Sequence, residues 1–374
     1  MTEQHRFGNI STPITCHAWN KNRTKIALSP NNHEVHIYEK IGNEWKLQDV
    51  LSQHDLRVMG IDWGPNTNRI VTCAIDRNAY VWTQSDDGKW KPTLVLLRIN
   101  RAATCVKWSP EENKFAVGCG ARLISVCYFE SSNDWWVSKH IKKPIRSTVT
   151  SLDWHPNNIL LVAGSADFKV RVYSAYMKDI EKMPEPTPWG AKMSLGQLLA
   201  EFINSPSGGG WIHSVSFSPS GNKICWVAHD SSINVADAAR GNVVFKLKTD
   251  QLPFLSCIWV TERSIVAGGY SCVPLLYSLG SNGQLGFVAK LDNSQKKEVS
   301  GFSAMKKFQS LDKQARIHVD NGLDSIHQKA ITTIRLYSGT NADATKISTS
   351  GLDDHLVVWD LMSLETAIQG LKIV

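Results

Sequence analysis

The chain has 374 residues, 42% of them apolar and 20% charged, with a formal net charge of +7; a sizeable core is available, and the charge is too modest to mark an obligate polyanion binder. No apolar run approaches the roughly 18 residues of a helical membrane span, and the opening MTEQHRFGNIS has no apolar leader core, so no membrane span is expected and a soluble, intracellular protein is. The cysteines at 16, 73, 105, 119, 127, 225, 257 and 272 form no C-x-x-C pair and fall mostly on predicted strands, so neither disulfides nor zinc are expected.

In chain order, the first unit is ITCHAWNKNRTKIALSPNNHEVHIY, closing at Tyr38, with a further strand predicted from Trp45 to Leu51. The second, from Val58 to Trp82, is the clearest and serves as the template. Its first strand alternates Val58, Gly60 and Asp62 against Met59, Ile61 and Trp63, and Gly64-Pro65-Asn66 supplies turn chemistry. A second strand follows at Arg69 to Ala74, Asp76-Arg77-Asn78 makes the next turn, and Ala79 to Trp82 reads as a third strand. Trp90 to Leu97 would be the outermost strand of a four-stranded blade.

The third unit, ATCVKWSPEENKFAVGCGARLISVCYF, lacks the turn Asp, and its outer strand DWWVSKHI carries Trp135 and Trp136 on opposite faces, one buried and one outward. The fourth keeps Asp167 and closes at Tyr173; the fifth keeps Asp230. The sixth is weak, with Ser271 at the Asp place and Pro274 interrupting its third strand, and the seventh ends at Trp359. From Trp19 through Trp63 and Trp108 to Trp154 the steps are 44, 45 and 46 residues, the length of one blade. The step to Phe217 is 63, and that from Trp259 to Leu336 is 77, so two insertions are expected, at about 176–210 and 292–327.

The fold expected is therefore all-β: one seven-bladed propeller over residues 1–374, with a short helical insertion after blade 4 and a longer one between blades 6 and 7. In the first insertion, Ser194 with Gln197 resembles a capping box, and Leu195, Leu198, Leu199 and Phe202 have one-face helical spacing. In the second, Phe302, Met305 and Phe308 form a short apolar stripe with Lys307 opposite, suited to a partner's groove or to packing on the propeller itself. The outer strand of the last blade is assigned to the segment around Arg6 to Ile10, in competition with Ala367 to Val374.

Two sets of residues stand where WD repeats place their buried tetrad: His54, Thr72, Asp76 and Trp82, and again His327, Thr349, Asp353 and Trp359. Asp can accept from imidazole, which meets the hydroxyl and then the indole N–H, so buried polar groups satisfy one another. A hydrolytic triad is set aside, because that chemistry needs an exposed nucleophile. His33 and His36 lack the HExxH spacing of a zinc helix. Lys139, Lys142, Lys143 and Arg146 form a candidate basic patch, as do Lys306 and Lys307, but no RNA-binding signature accompanies them and nucleic acid is not expected as a partner. With no phosphate loop, nucleophile elbow or metal set, neither enzymatic activity nor a cofactor is expected.

Longer words are more specific than the periodicity. ALSPNNHEVHIY, RIVTCAIDRNAYVW, LLRINRAATCVKWSP, NDWWVSKHIKKPIRST and FSAMKKFQSLDKQA resemble the WD-repeat subunit family of the seven-subunit actin-related protein 2/3 complex, from about Ile14 to Val374. The resemblance implies a noncatalytic subunit of an assembly that nucleates branched actin filaments, cytoplasmic and on the actin cytoskeleton. Its implied partners are the other subunits of that complex, the actin filament and nucleation-promoting activators, with ATP held by two actin-like subunits. It also implies filament or activator contact by Phe302, Met305, Lys306, Lys307 and Phe308. The alternative is a free-standing WD-repeat adaptor that holds peptides in a chromatin or ubiquitin pathway.

Overall fold

The computed structural model describes residues 2–7, 12–205, 209–280, 283–292 and 325–362. The strands form seven four-stranded antiparallel sheets, each one blade, with the first strand innermost. Blades 1 to 6 occupy residues 16–51, 58–95, 103–141, 149–203, 212–248 and 254–290. Blade 7 takes Ile331–Thr340, Asp343–Gly351 and His355–Asp360, and its outer strand is Glu3–Arg6 from the other end of the chain, paired antiparallel with His355–Val358. The N-terminal assignment therefore holds, a few residues earlier than expected; residues 367–374 lie outside the described residues. This pairing covers what would be an open sheet edge.

Apolar cores lie between blades. Seven buried clusters each join two neighbours, and the seventh, with Phe7, Ile14, Trp19 and Leu356, joins blade 7 to blade 1. Second strands such as Ile70–Ala74 are buried throughout, whereas the outer strand Val243–Lys248 is largely exposed. Gly118 and Gly164 permit the closest crossings: a Cβ would lie 2.7 Å from Val149 Cγ1 in the first case and 2.6 Å from Ile212 Cγ2 in the second.

Six blades share a bulge at the second residue of the first strand: Met59, Thr104, Thr150, His213, Leu255 and Thr332. The extra residue re-aims its side chain, and the three threonines use this to donate to a carbonyl of the next blade, at Val149 and Ile212 in first strands and at Ile14 just ahead of one. Further along the same strands, Asp62 accepts from the Trp108 N–H at 2.8 Å and Asp153 from the Phe217 N–H at 2.9 Å, so neighbouring blades are stitched at two levels.

The expected helix of the first insertion is not present. Leu198–Ile203 is the outer strand of blade 4, and the insertion lies inside that blade, over residues 175–197 between its third and fourth strands. The same letters satisfy two periods: Ala200 and Phe202 point inward while Glu201 and Ile203 point out. The open hydrogen-bonding edge of Lys169–Ser174 decides for the strand. Ser194 and Gln197 make a turn, with the Gln197 N–H donating to the Ser194 carbonyl at 3.0 Å. Of the second insertion, residues 293–324 lie outside the described residues, and the expected helix there with them.

Candidate interaction surfaces

The structure brings the members of each tetrad together. In blade 2, His54 Nδ1 lies 2.8 Å from Asp76 and Nε2 lies 2.8 Å from Thr72 Oγ1, to which Trp82 Nε1 donates at 3.0 Å. In blade 7, His327 lies 3.1 Å from Asp353 and 2.7 Å from Thr349, and Trp359 donates to Thr349 at 2.8 Å. Asp76 also accepts from the N–H groups of Asp55 and Asn78, and Asp353 from those of Gln328 and His355. Burial alone would raise the Asp353 carboxyl, but His327, the Gln328 N–H and the nearby His355 imidazole hold it down at about 2. Burial lowers the His54 imidazole against the opposing pull of Asp76. Thr72 and Thr349 are wholly enclosed, so neither hydroxyl can reach a substrate; the tetrads hold blades together.

Blades 4 and 5 reach the same end by other residues. Asp167 binds the buried Arg171 guanidinium at 2.9 Å and the Arg146 N–H at 2.9 Å, and Arg171 continues to Glu201 at 2.7 Å. In blade 5, Asn204 accepts from Trp226 Nε1 at 3.1 Å, from Asn234 and from Ser232. Ser271 stands in for Asp in blade 6 by accepting from the Leu252 N–H at 3.2 Å. His36 pairs with Glu34 at 2.9 Å. The cysteines are free thiols, and burial pushes those of Cys16 up to about 11 and of Cys105 and Cys127 to about 12, far from nucleophilic.

The predicted basic patch divides. Lys139, on the outer strand Trp135–Ile141, pairs with Asp179 and lies 5.2 Å over the Tyr128 ring. Lys142, Lys143 and Arg146 are exposed in the loop that leads to blade 4. That loop shares one face of the disc with the other interblade loops and the turns between second and third strands, because each first strand begins where the second ends, as in Val58 opposite Ala74. On this face, over blades 2 to 4, Arg57, Arg77, Arg101 and Arg122 are also exposed, and Asp55 is the exposed acid beside them. Arg77 and Arg122 occupy equivalent left-handed turn positions, at φ 70° and 59°. Sequence reasoning missed these arginines because they are isolated along the chain; blade periodicity, which aligns Arg77 with Arg122, could have found them.

The second insertion leaves this same face. Its two ends are pinned together by the Ile326 N–H on Asp292 at 2.6 Å. Phe302, Met305, Lys306, Lys307 and Phe308 lie outside the described residues. At the opposite mouth of the central channel is a pocket of about 210 Å³ lined by Arg23, Asp62, Lys107, Asp153 and Arg335 among others. Its charges alternate: Lys107 approaches Asp153 at 4.0 Å and Arg335 approaches Asp62 at 3.8 Å. On the rim of blade 3, Trp136 is buried and Trp135 is 59% exposed, as the alternation required.

The WD domain, G-beta repeat family matches residues 45–83 and 137–174. Over 99% of both chains, the sequence is 58% identical to actin-related protein 2/3 complex subunit 1A-B of Xenopus laevis. It is 44% identical to actin-related protein 2/3 complex subunit 1 of Schizosaccharomyces pombe, over 94% of this chain and 98% of that one. Subunit 1B of the same complex from Arabidopsis thaliana is 38% identical over 98% of both. With a closed ring of seven blades and identity that runs its whole length, the chain belongs to the actin-related protein 2/3 complex subunit 1 family.

Proposed function

We propose that the chain is a non-catalytic propeller subunit of an actin-related protein 2/3 complex, cytoplasmic and placed on the actin cytoskeleton. It supports nucleation of branched filaments through contacts with neighbouring subunits, the mother filament and nucleation-promoting activators. The observation that carries this reading is identity along the full length to subunit 1 proteins from frog, yeast and plant. The propeller contributes stiffness and display. Tetrads and interblade bonds fix the disc, and the loops of one face present Arg57, Arg77, Arg101, Arg122, Lys142, Lys143 and Arg146 to acidic surfaces. Phe302, Met305, Lys306, Lys307 and Phe308 are assigned to filament or activator contact.

Tagged chain isolated from cells is expected to bring down two actin-like subunits in stoichiometric amount; a chain that migrates alone would instead support the free-standing adaptor. In the reconstituted complex, Phe302→Ala with Met305→Ala and Phe308→Ala should leave assembly intact and reduce branch density in pyrene-actin and imaging assays. Unchanged branch density would remove those residues from the contact surface.

A further inference from the structure

Each of the seven first strands sends one residue to the channel mouth opposite the loop face. Asp62, Lys107, Asp153 and Ser216 come in turn from blades 2 to 5, and Ala18, Ile258 and Arg335 from blades 1, 6 and 7. Arg335 leaves blade 7, donates from Nε to the His17 carbonyl at 3.3 Å and from Nη2 to the Ile61 carbonyl at 3.2 Å, and so carries its guanidinium across blade 1 to Asp62. The belt is therefore charged with alternating sign along one arc, from Arg335 through Asp62 and Lys107 to Asp153, and neutral along the rest. On the neutral arc Ala18 and Ile258 are joined by the rings of Trp19 and Trp259, whose N–H groups are spent on Ser348 and on the Ser216 carbonyl, so carbon faces the cavity there.

The two carboxylates commit one oxygen each to the ring. Asp62 accepts the Trp108 N–H on Oδ2, and Asp153 accepts the Phe217 N–H and the Ser216 hydroxyl on Oδ2. Each Oδ1 faces a cation that stops short of it, Arg335 Nη1 at 3.8 Å and Lys107 Nζ at 4.0 Å. A charge-assisted hydrogen bond closes to about 2.7–2.9 Å, and all four side chains are partly buried, so the open spacing leaves charged groups to be satisfied by what enters the cavity. We infer that this mouth binds a free aliphatic α-amino acid as its zwitterion. A lone anion entering the belt meets Asp62 and Asp153, and a lone cation meets Lys107 and Arg335; a molecule that carries both signs side by side answers the alternation. Its carboxylate accepts from Lys107 and Arg335, its ammonium donates to Asp153 Oδ1, and its side chain lies on the neutral arc. At about 210 Å³ the cavity is smaller than the roughly 300–1,000 Å³ of drug-sized sites, which suits one small molecule of this class.

The test titrates L-leucine into the full chain, in the assembly with which it purifies, and follows heat. One equivalent per chain is expected, with a dissociation constant at or below about 1 mM. Isocaproate and isoamylamine, which keep the side chain but only one of the two charges, should each bind at least tenfold more weakly. Lys107→Met, at a partly exposed side chain, should weaken leucine at least tenfold. Asp153→Asn keeps an oxygen for the Phe217 N–H and loses only the charge; it should weaken leucine at least tenfold while strengthening isocaproate, a reversal that a misfolded variant cannot produce. No heat with leucine up to about 10 mM means a mouth filled by water alone and overturns the inference. Equal affinity for leucine and either relative, or an unchanged leucine isotherm in Lys107→Met, overturns it as well.

Discussion

The insertion inside blade 4 is fastened by one buried ion pair, and removing one side of it should be worse than removing both. Lys114 is 0% exposed at its side chain and Glu181 is 6% exposed. The ammonium touches Glu181, donates to the Ala175 carbonyl at 3.0 Å and lies 5.2 Å from the Trp154 ring centroid. Glu181 also accepts from Asn158 Nδ2 at 2.7 Å and from the Met177 N–H at 2.8 Å. Glu181→Leu therefore strands a buried cation, at about 3–5 kcal/mol, and deprives two buried donors, at about 1–3 kcal/mol each. These losses overlap, and local opening of the insertion sets a ceiling, so about 4–6 kcal/mol is expected. Adding Lys114→Met removes the stranded charge and leaves only the donors, and so should recover at least about 2 kcal/mol. Urea unfolding of the full chain, followed by tryptophan emission, measures both. A single variant within about 1 kcal/mol of the parent, or a double variant no better than the single, would refute the account of Lys114 as a charge that depends on its partner.

Three further outcomes rest on contacts elsewhere in the disc. Because the folded Asp353 carboxyl sits at about 2 against an ordinary value of 3.8, its contribution to stability is complete above the ordinary value and is lost as pH falls through about 2. A urea-midpoint profile should accordingly drop more steeply between about pH 5 and pH 2 in the parent than in Asp353→Asn, and parallel profiles would count against the low value. Trp136→Ala removes a ring that packs on Trp108, Phe115 and Phe129 and should cost about 3–5 kcal/mol. Trp135→Ala should stay within about 0.5 kcal/mol yet lower recovery of partner subunits in a pull-down; equal recovery would make Trp135 a plain surface residue.

Where one face of a strand had to be buried, period-two patterning located it closely: Val58–Trp63 and the burial of just one of Trp135 and Trp136 follow from alternation, while the structure decides that the buried one is Trp136. The two tetrads were legible because hydroxyl, carboxylate and indole recur at the same offsets, Thr72, Asp76 and Trp82 in one blade and Thr349, Asp353 and Trp359 in the other, with an imidazole ahead of each set. Leu195 to Phe202 was misread because a short apolar run fits both periods, and the choice is made by a distant strand edge that local sequence does not contain. Long-range replacements were equally hidden. Nothing near Asp167 says that Arg171 and Glu201 complete its network, or that Asn204 will hold Trp226 from 22 residues away. The arginine-rich face escaped notice for the same reason, since its members come together only when three blades stack side by side.

The bulge shows how such a fold separates scaffold from surface. In six blades the same backbone irregularity aims one side chain away from the regular ladder. Where that residue is threonine, its hydroxyl is spent on the next blade's carbonyl and the position serves the ring. At His213 the latch is given up and the ring faces an exposed partner instead. Blade 5 nonetheless remains joined to its neighbours, because Thr150 and Asp153 reach it from blade 4 and Ser214 accepts from the Cys257 N–H of blade 6 at 3.2 Å. Redundant stitching of this kind frees single positions on the loop face to vary without opening the disc, which is the property a subunit needs if its task is to present side chains rather than to transform a substrate.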